Sequence, residues 1–275
     1  DLGLKLTGIL ASKALKLELT VTTPFHPRDP FFSTIPILDC RLRLVPLGSN
    51  FRWVEREKIL EGGKIFFQIQ SDKFRDYASN QDKITWLCES GRFWDRKGKE
   101  PKPVVTVEDA LVVHTGQVEG QRVVANFAAE DPAAELHVSW CTYSPPMLDI
   151  YGESAPFKYT EYFGSLEEVT RWAVENPRAI SENSERVDRI LLNNSLPRSA
   201  NNLVAQTLHS WLANTWWTKK GQTDWFTVWE GSCYYHSTVD VEYTQTPFYL
   251  TLWPELLGLE LDMWPHFTVS GEEVL

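Results

Sequence analysis

The hydrophobic pattern of this chain changes period partway along, and that change constrains its fold more than any other feature. In the first part, apolar side chains recur at every second position. "LKLELTVT" (15–22) and "CRLRLVPL" (40–47) alternate apolar and polar residues, as a strand buried on one face requires. "KIFFQIQ", "ITWLC", "VVTVEDALVVHTG", "QRVVANFAA" and "ELHVSWCTY" continue the series, separated by turn-rich pieces such as "LEGGK" and "DRKGKEPKP". Many short strands with Gly and Pro punctuation predict an antiparallel β-sandwich over residues 1–158 rather than a parallel α/β sheet.

Beyond that point the period becomes helical. "SLEEVTRWAVENP" opens on Ser165 with Glu168 three residues later, the capping-box pattern of a helix start. Leu166, Val169, Trp172 and Ala173 then share a face, and Pro177 limits the helix. "ERVDRILLNN" sets Val187, Ile190 and Leu191 at the same spacing. In "SANNLVAQTLHSWLANTWW" the stripe is Val204, Leu208, Trp211, Leu212 and Thr215. The apolar "VEYTQTPFYLTLWPELLGLELDMW" reads as helical in part, broken or kinked by Pro247 and Pro254. Strands followed by helices predict an α+β chain: the sandwich, a helical connector at 159–198 and a further helical region at 199–275.

A net charge of −10 argues against a nucleic-acid partner, since phosphate binding needs clustered Lys and Arg. No apolar run is long enough to span a bilayer, and no signal-peptide core is present. Cys40, Cys88, Cys141 and Cys233 are widely spaced with no C-x-x-C pair. They are therefore expected to be free thiols in a reducing, cytoplasmic setting rather than zinc ligands or a disulfide framework. No metal cluster, Gly-rich phosphate loop or Ser-His-Asp order stands out, so neither metal nor cofactor is expected. Both ends, Asp1 and "SGEEVL", read as cuts in a longer protein.

The chemistry concentrates in "FTVWEGSCYYHSTVDVEY" (226–243). Glu230 lies among Trp225, Phe226, Trp229, Tyr234 and Tyr235, where partial desolvation would raise a carboxyl pKa. Aromatic walls with a few acids suit carbohydrate, whose C–H faces stack on rings, and an oxocarbenium-like transition state gains from a nearby anion. A solvated glutamate beside aromatic residues fits the same residues. Asp240 either caps a helix or, with Thr238, binds sugar hydroxyls. His236 either bonds a hydroxyl or is structural. Trp225, Trp229 and Tyr234 either line a sugar subsite or belong to the core.

Glu230-Gly231, Tyr234-Tyr235, Thr238-Val239-Asp240-Val241 and Leu252-Trp253-Pro254 resemble the nucleophile region of glycoside hydrolase family 116, which includes the non-lysosomal glucosylceramidases. The upstream "APFKYTEYFGSLEEVTRWAVEN" and "AQTLHSWLANTWW" are similar to the related family 52 β-xylosidases. This resemblance runs from about Ala155 to Trp264 and is strongest between Trp225 and Glu255. It implies an N-terminal β-sandwich, then the first helices of an (α/α)6 barrel in 199–275, and hydrolysis of β-glycosides or oligosaccharides with retention. It also implies that Glu230 is the nucleophile and that Thr238 and Asp240 serve the sugar subsite, with His236, Trp229 and Tyr234 beside them. This loop carries His236-Ser237 where those families have Asn or Asp before the Thr.

Retention needs two carboxyl groups about 5–5.5 Å apart. The resemblance puts the acid/base on an Asp well downstream of the nucleophile. It is thus expected in a C-terminal remainder beyond Leu275 or in a second chain. The competing expectation is a non-catalytic carbohydrate-binding or assembly subunit on the same scaffold.

Overall fold

The computed structural model describes residues 4–10, 15–46, 62–89, 105–128, 133–150, 153–192, 195–229 and 235–267. The chain runs through β1 (Leu4–Leu10), β2 (Leu15–Thr22), the five-residue helix α1 (Pro30–Thr34), β3 (Ile37–Pro46) and β4 (Gly63–Phe67). Next come β5 (Phe74–Ser79), β6 (Lys83–Glu89), β7 (Thr106–Thr115), β8 (Gln117–Glu119), β9 (Arg122–Phe127) and β10 (Ala134–Tyr143). The short strands β11 (Leu148–Ile150) and β12 (Glu153–Ala155) lead to the helices α2 (Leu166–Glu175), α3 (Ala179–Leu192) and α4 (Arg198–Asn214). A hairpin of β13 (Thr215–Lys220) and β14 (Thr223–Val228) precedes α5 (Val239–Leu252) and α6 (Pro254–Met263). The α+β class expected from the two hydrophobic periods is borne out.

Two compact units are assembled from interleaved stretches. The first takes Asp1–Pro24, Ile35–Pro145 and Phe163–Asp188, and the second takes Phe25–Thr34, Pro146–Tyr162 and Arg189–Leu275. In the first unit, a seven-stranded antiparallel sheet has the order β1-β2-β3-β10-β7-β6-β5, and a second sheet has the order β4-β9-β8. The period-two pattern explains the core. Cys40, Leu42 and Leu44 of β3, Leu136 and Val138 of β10, and Ile84 and Trp86 of β6 point to one side. There they meet Ile65 of β4 and Val123 of β9. Pairing of Val138 with Cys40 and of Leu136 with Leu42 keeps these side chains in register. A one-residue slip would turn the whole set outward. Each such side chain contributes about 1.5–3 kcal/mol on burial.

On the other side of the long sheet, α2 packs on β7 and β10. Its capping box forms nearly as expected. The Ser165 hydroxyl accepts the N–H of Glu168 at 3.4 Å, while the Glu168 carboxylate accepts the N–H of Gly164 rather than that of Ser165. Val169 and Ala173 are buried, and the helix ends at Asn176, before Pro177. A polar cluster lies under α3. Buried Asp39 accepts from Arg41 and sits 2.5 Å from Nε2 of His137, and Arg41 also donates to the Ser181 hydroxyl at 2.8 Å. Next to it, the His114 ring lies tilted against that of His137, 4.5 Å between centroids, and bonds the Ser139 hydroxyl. Cys40 and Cys141 are buried free thiols and Cys88 is half-buried, with burial pushing the Cys40 thiol up to about 12. Cys233 lies outside the described residues.

Two helical expectations are corrected. α3 begins at Ala179 and buries Ile180 and Val187, whereas Ile190 is 67% exposed. The first unit ends at Asp188, so the last turn of α3 runs past the unit in which its core face is buried. α4 ends at Asn214, and the stripe expected to continue to Thr215 stops there. Val204 is exposed and only Leu208 is fully buried. Thr215-Trp216-Trp217-Thr218 are β-branched and aromatic, and they gain a cross-strand partner set in β14 that outweighs helical continuation.

In the second unit, Phe25 meets Trp211 of α4 edge-on at 5.7 Å, and Phe31 of α1 meets Tyr162 at 5.1 Å. Pro254 opens α6 at its first turn, where a missing N–H costs nothing. Pro247 by contrast lies inside α5, and the helix continues through it. Among the described residues no helix is long and apolar enough to cross a membrane.

Candidate active site

The site is built on the β13–β14 hairpin. Lys220 pairs with Thr223, so Gly221 and Gln222 form a two-residue turn. Gly221 sits at φ +60°, and glycine at the first turn position is what a type II′ hairpin turn asks for. Trp217 pairs with Phe226 and Trp216 with Thr227. Every residue from Trp225 to Val228 is buried. Trp225, weighed above as a subsite wall, is only 4% exposed and packs with Ile150, Ala155 and Met263. It is a core residue.

At the end of β14 the chain is pinned from several sides. The N–H of Trp229 donates to the Asn214 carbonyl at 2.7 Å. Trp229 also forms an antiparallel bridge with His236. One step inward, the N–H of Ser237 donates to the Val228 carbonyl at 2.8 Å, and the N–H of Val228 donates to the Ser237 hydroxyl at 3.0 Å. The segment that leaves at Trp229 and returns at His236 is therefore closed at its base by two rungs. Glu230 and Tyr234 belong to that segment and lie outside the described residues.

Trp229 and His236 are brought together face to face, 5.3 Å between ring centroids and 28° between planes. Trp216 meets Trp229 edge-on at 5.2 Å. The Nδ1 of His236 lies 3.1 Å from the Thr227 hydroxyl, and burial pushes the imidazole below its ordinary range. It is consequently neutral near pH 7. Rings arranged in this way offer a flat apolar wall with a polar edge, the combination a pyranose face requires.

Thr238 and Asp240 start α5. Thr238 is the N-cap, half-buried, and its carbonyl accepts the N–H groups of Val241 and Glu242 at 3.1 and 3.0 Å. Asp240 stands exposed in the first helical turn, where a carboxylate is favoured by the helix dipole.

Three residues beneath this corner were not singled out from the sequence. Ser237 is held at φ +47°, a left-handed conformation that a residue with a Cβ adopts at a cost. Its hydroxyl donates to Oε1 of Glu260 at 2.9 Å, and its carbonyl accepts from Nε1 of Trp264 at 3.0 Å. Glu260 of α6 and Glu242 of α5 are 0% and 1% exposed, and their carboxyl groups lie close enough to act on one another. Burial first, and then the Glu242 carboxyl, push Glu260 well above the usual carboxylate range. Burial, followed by the charge of Glu260, also pushes the nearby Tyr249 phenol upward. The available signal was slight: Glu260 is the one acid within "LLGLEL". Among the described residues no group of His, Cys, Asp and Glu is arranged to hold a metal ion.

No curated protein sequence matches the chain. The family model of glycosyl hydrolase family 52 matches residues 123–265. Of the two families that the motifs resemble, family 52 is thus the one found. The match spans more than half of the 275 residues and takes in the hairpin, the pinned segment and both helices beneath it. This chain therefore belongs to glycosyl hydrolase family 52, a family of glycoside hydrolases.

Proposed function

We propose that the chain works as a retaining β-glycosidase on β-glucosides or β-xylosides, with Glu230 as its nucleophile. The family 52 match carries this reading, because it runs through the segment that holds Glu230 and its flanking motifs. The Glu230 carboxylate attacks the anomeric carbon, the aglycone leaves, and the glycosyl-enzyme ester is then hydrolysed by water. Trp229, with His236 stacked on it, provides a wall for the C–H face of the sugar, and Tyr234 adds to it. The Thr238 hydroxyl donates to or accepts from sugar hydroxyls, and the Asp240 carboxylate accepts from them. The acid/base is an Asp on a further segment or a second chain, as the resemblance implies. The helices of the second unit are read as part of an (α/α)6 barrel.

A 2-fluoro-glycosyl fluoride tests the nucleophile apart from the acid/base, because fluoride departs without needing a proton. Mass spectrometry should find one glycosyl adduct on the peptide containing Glu230 in the wild-type protein and none in Glu230→Gln. An adduct that persists in Glu230→Gln, or a wild-type protein that never labels, would overturn the assignment.

A further inference from the structure

The floor of the site carries two acids that the glycosidase reading does not use. Glu242 and Glu260 come from different helices and meet with their carboxyl groups almost fully removed from solvent. The ionisable group acting on Glu260 is Glu242, and Glu260 in turn acts on Tyr249 of α5. On its other neighbours, Asp224 of β14 is engaged by Lys158, and His266 lies against the Trp225 ring. Two carboxylates facing each other in such surroundings cannot both be ionised, and a pair of this kind holds a proton between them. Ser237 occupies Oε1 of Glu260 and at the same time binds the Val228 N–H. The pair is therefore linked by one hydroxyl to the residue immediately before Trp229-Glu230.

We propose that Glu242 and Glu260 share a single proton, and that this pair acts through Ser237 as a positioning device for the end of β14, the strand that precedes Glu230 in the sequence. Its kinetic consequence rests on the assignment of Glu230 as nucleophile; its structural consequence does not. While the proton is shared, α5 and α6 are tied together and Ser237 is anchored. When it is lost at alkaline pH, two like charges face each other in the core and the anchor loosens.

The sign follows from proton counting. The folded state keeps a proton that the unfolded state releases in the ordinary carboxylate range. The stability that this pair contributes is therefore greatest at low pH and falls as pH rises toward the folded-state value. The test compares wild type with Glu260→Gln and Glu242→Gln, in which an amide supplies a permanent donor, and with Asp262→Asn, an exposed acid on the same helix. Between about pH 5 and 9, the folding equilibrium constant of the wild type should fall more steeply than that of either Gln variant, by up to about tenfold per pH unit. Asp262→Asn should keep the wild-type slope. Infrared spectra near pH 7 should show the carbonyl stretch of a protonated carboxylic acid in wild type and lose it in Glu260→Gln. After correction for intrinsic rates, the Val228 amide should exchange faster in wild type than in Glu260→Gln at about pH 9. Equal slopes, no protonated-acid band in wild type, or equal Val228 protection would each overturn the proposal. If Glu230 proves not to be the nucleophile, these three readouts still decide the matter. Where the fluoroglycoside labels Glu230, its rate should fall over the same alkaline range in wild type but not in Glu260→Gln.

Discussion

Replacing Ser237 by Ala isolates the hydroxyl that joins β14 to α6. The Cβ and its left-handed backbone at φ +47° remain, so the strain is unchanged and only the oxygen is lost. That oxygen accepts the Val228 N–H at 3.0 Å and donates to Glu260 at 2.9 Å, in a residue only 4% exposed. A buried N–H left without its acceptor costs about 1–3 kcal/mol, and loss of a donor to a buried carboxyl adds about 1 kcal/mol or more. The expected destabilisation is about 2–4 kcal/mol. Ser237→Gly serves as the control. It loses the same bonds but relieves about 1–2 kcal/mol of left-handed strain, against about 0.4–1 kcal/mol for the freer unfolded chain. Gly should therefore lie level with Ala or above it by up to about 1.6 kcal/mol. Urea unfolding at fixed pH reads both, with the midpoint falling and the slope unchanged. The reasoning is refuted if Ser237→Ala stays within about 0.5 kcal/mol of wild type, or if Gly falls clearly below Ala.

Two shorter predictions concern the first unit and its margin. Val187→Ala should cost about 1.5–2.5 kcal/mol, because two buried methyl groups are lost and a cavity is left. Ile190→Ala, at 67% exposure, should stay within about 0.5 kcal/mol in the same urea assay. Burial, and then the neighbouring His137, push His114 down to about 4. The unfolded chain binds the proton first, near pH 6.5, so stability should fall as pH drops from there toward about 4. His114→Gln should lessen the drop in thermal midpoint between pH 7 and 5, and an undiminished drop would count against the assignment.

The parts of the fold governed by local rules were legible in the sequence. "LKLELTVT" is β2 residue for residue, because alternation over eight positions leaves little choice of structure. Ser165 and Glu168 marked the start of α2, and Pro254 marked the start of α6, because capping and the missing proline N–H are decided within a few residues. The β13–β14 hairpin was hidden in "TWWTKKGQTDWFTV" because the preceding helical stripe masked its beginning. Gly221-Gln222 between two aromatic runs was the cue for a tight turn. The aromatic character of the site was legible, and the stacking of His236 on Trp229 now gives two of its residues a place. The pairing of Glu242 with Glu260 was not legible, since it depends on how α5 and α6 pack. No local pattern records that two acids on different helices will meet.

The interleaving of the two units bears on how the protein is made. Synthesis delivers Phe25–Thr34 first, then the whole of Ile35–Pro145, before Pro146–Tyr162 and Arg189–Leu275 supply the rest of its own unit. Phe25 and Phe31 must therefore wait on the nascent chain for Trp211 and Tyr162, while the sheets of the first unit are already able to close. Neither unit is a contiguous cassette. A gene fragment that encodes all of the helices from α2 onward still leaves behind the phenylalanines that the second unit needs. A ribosome paused before Tyr162 holds those rings out to whatever chaperone or aggregate reaches them first.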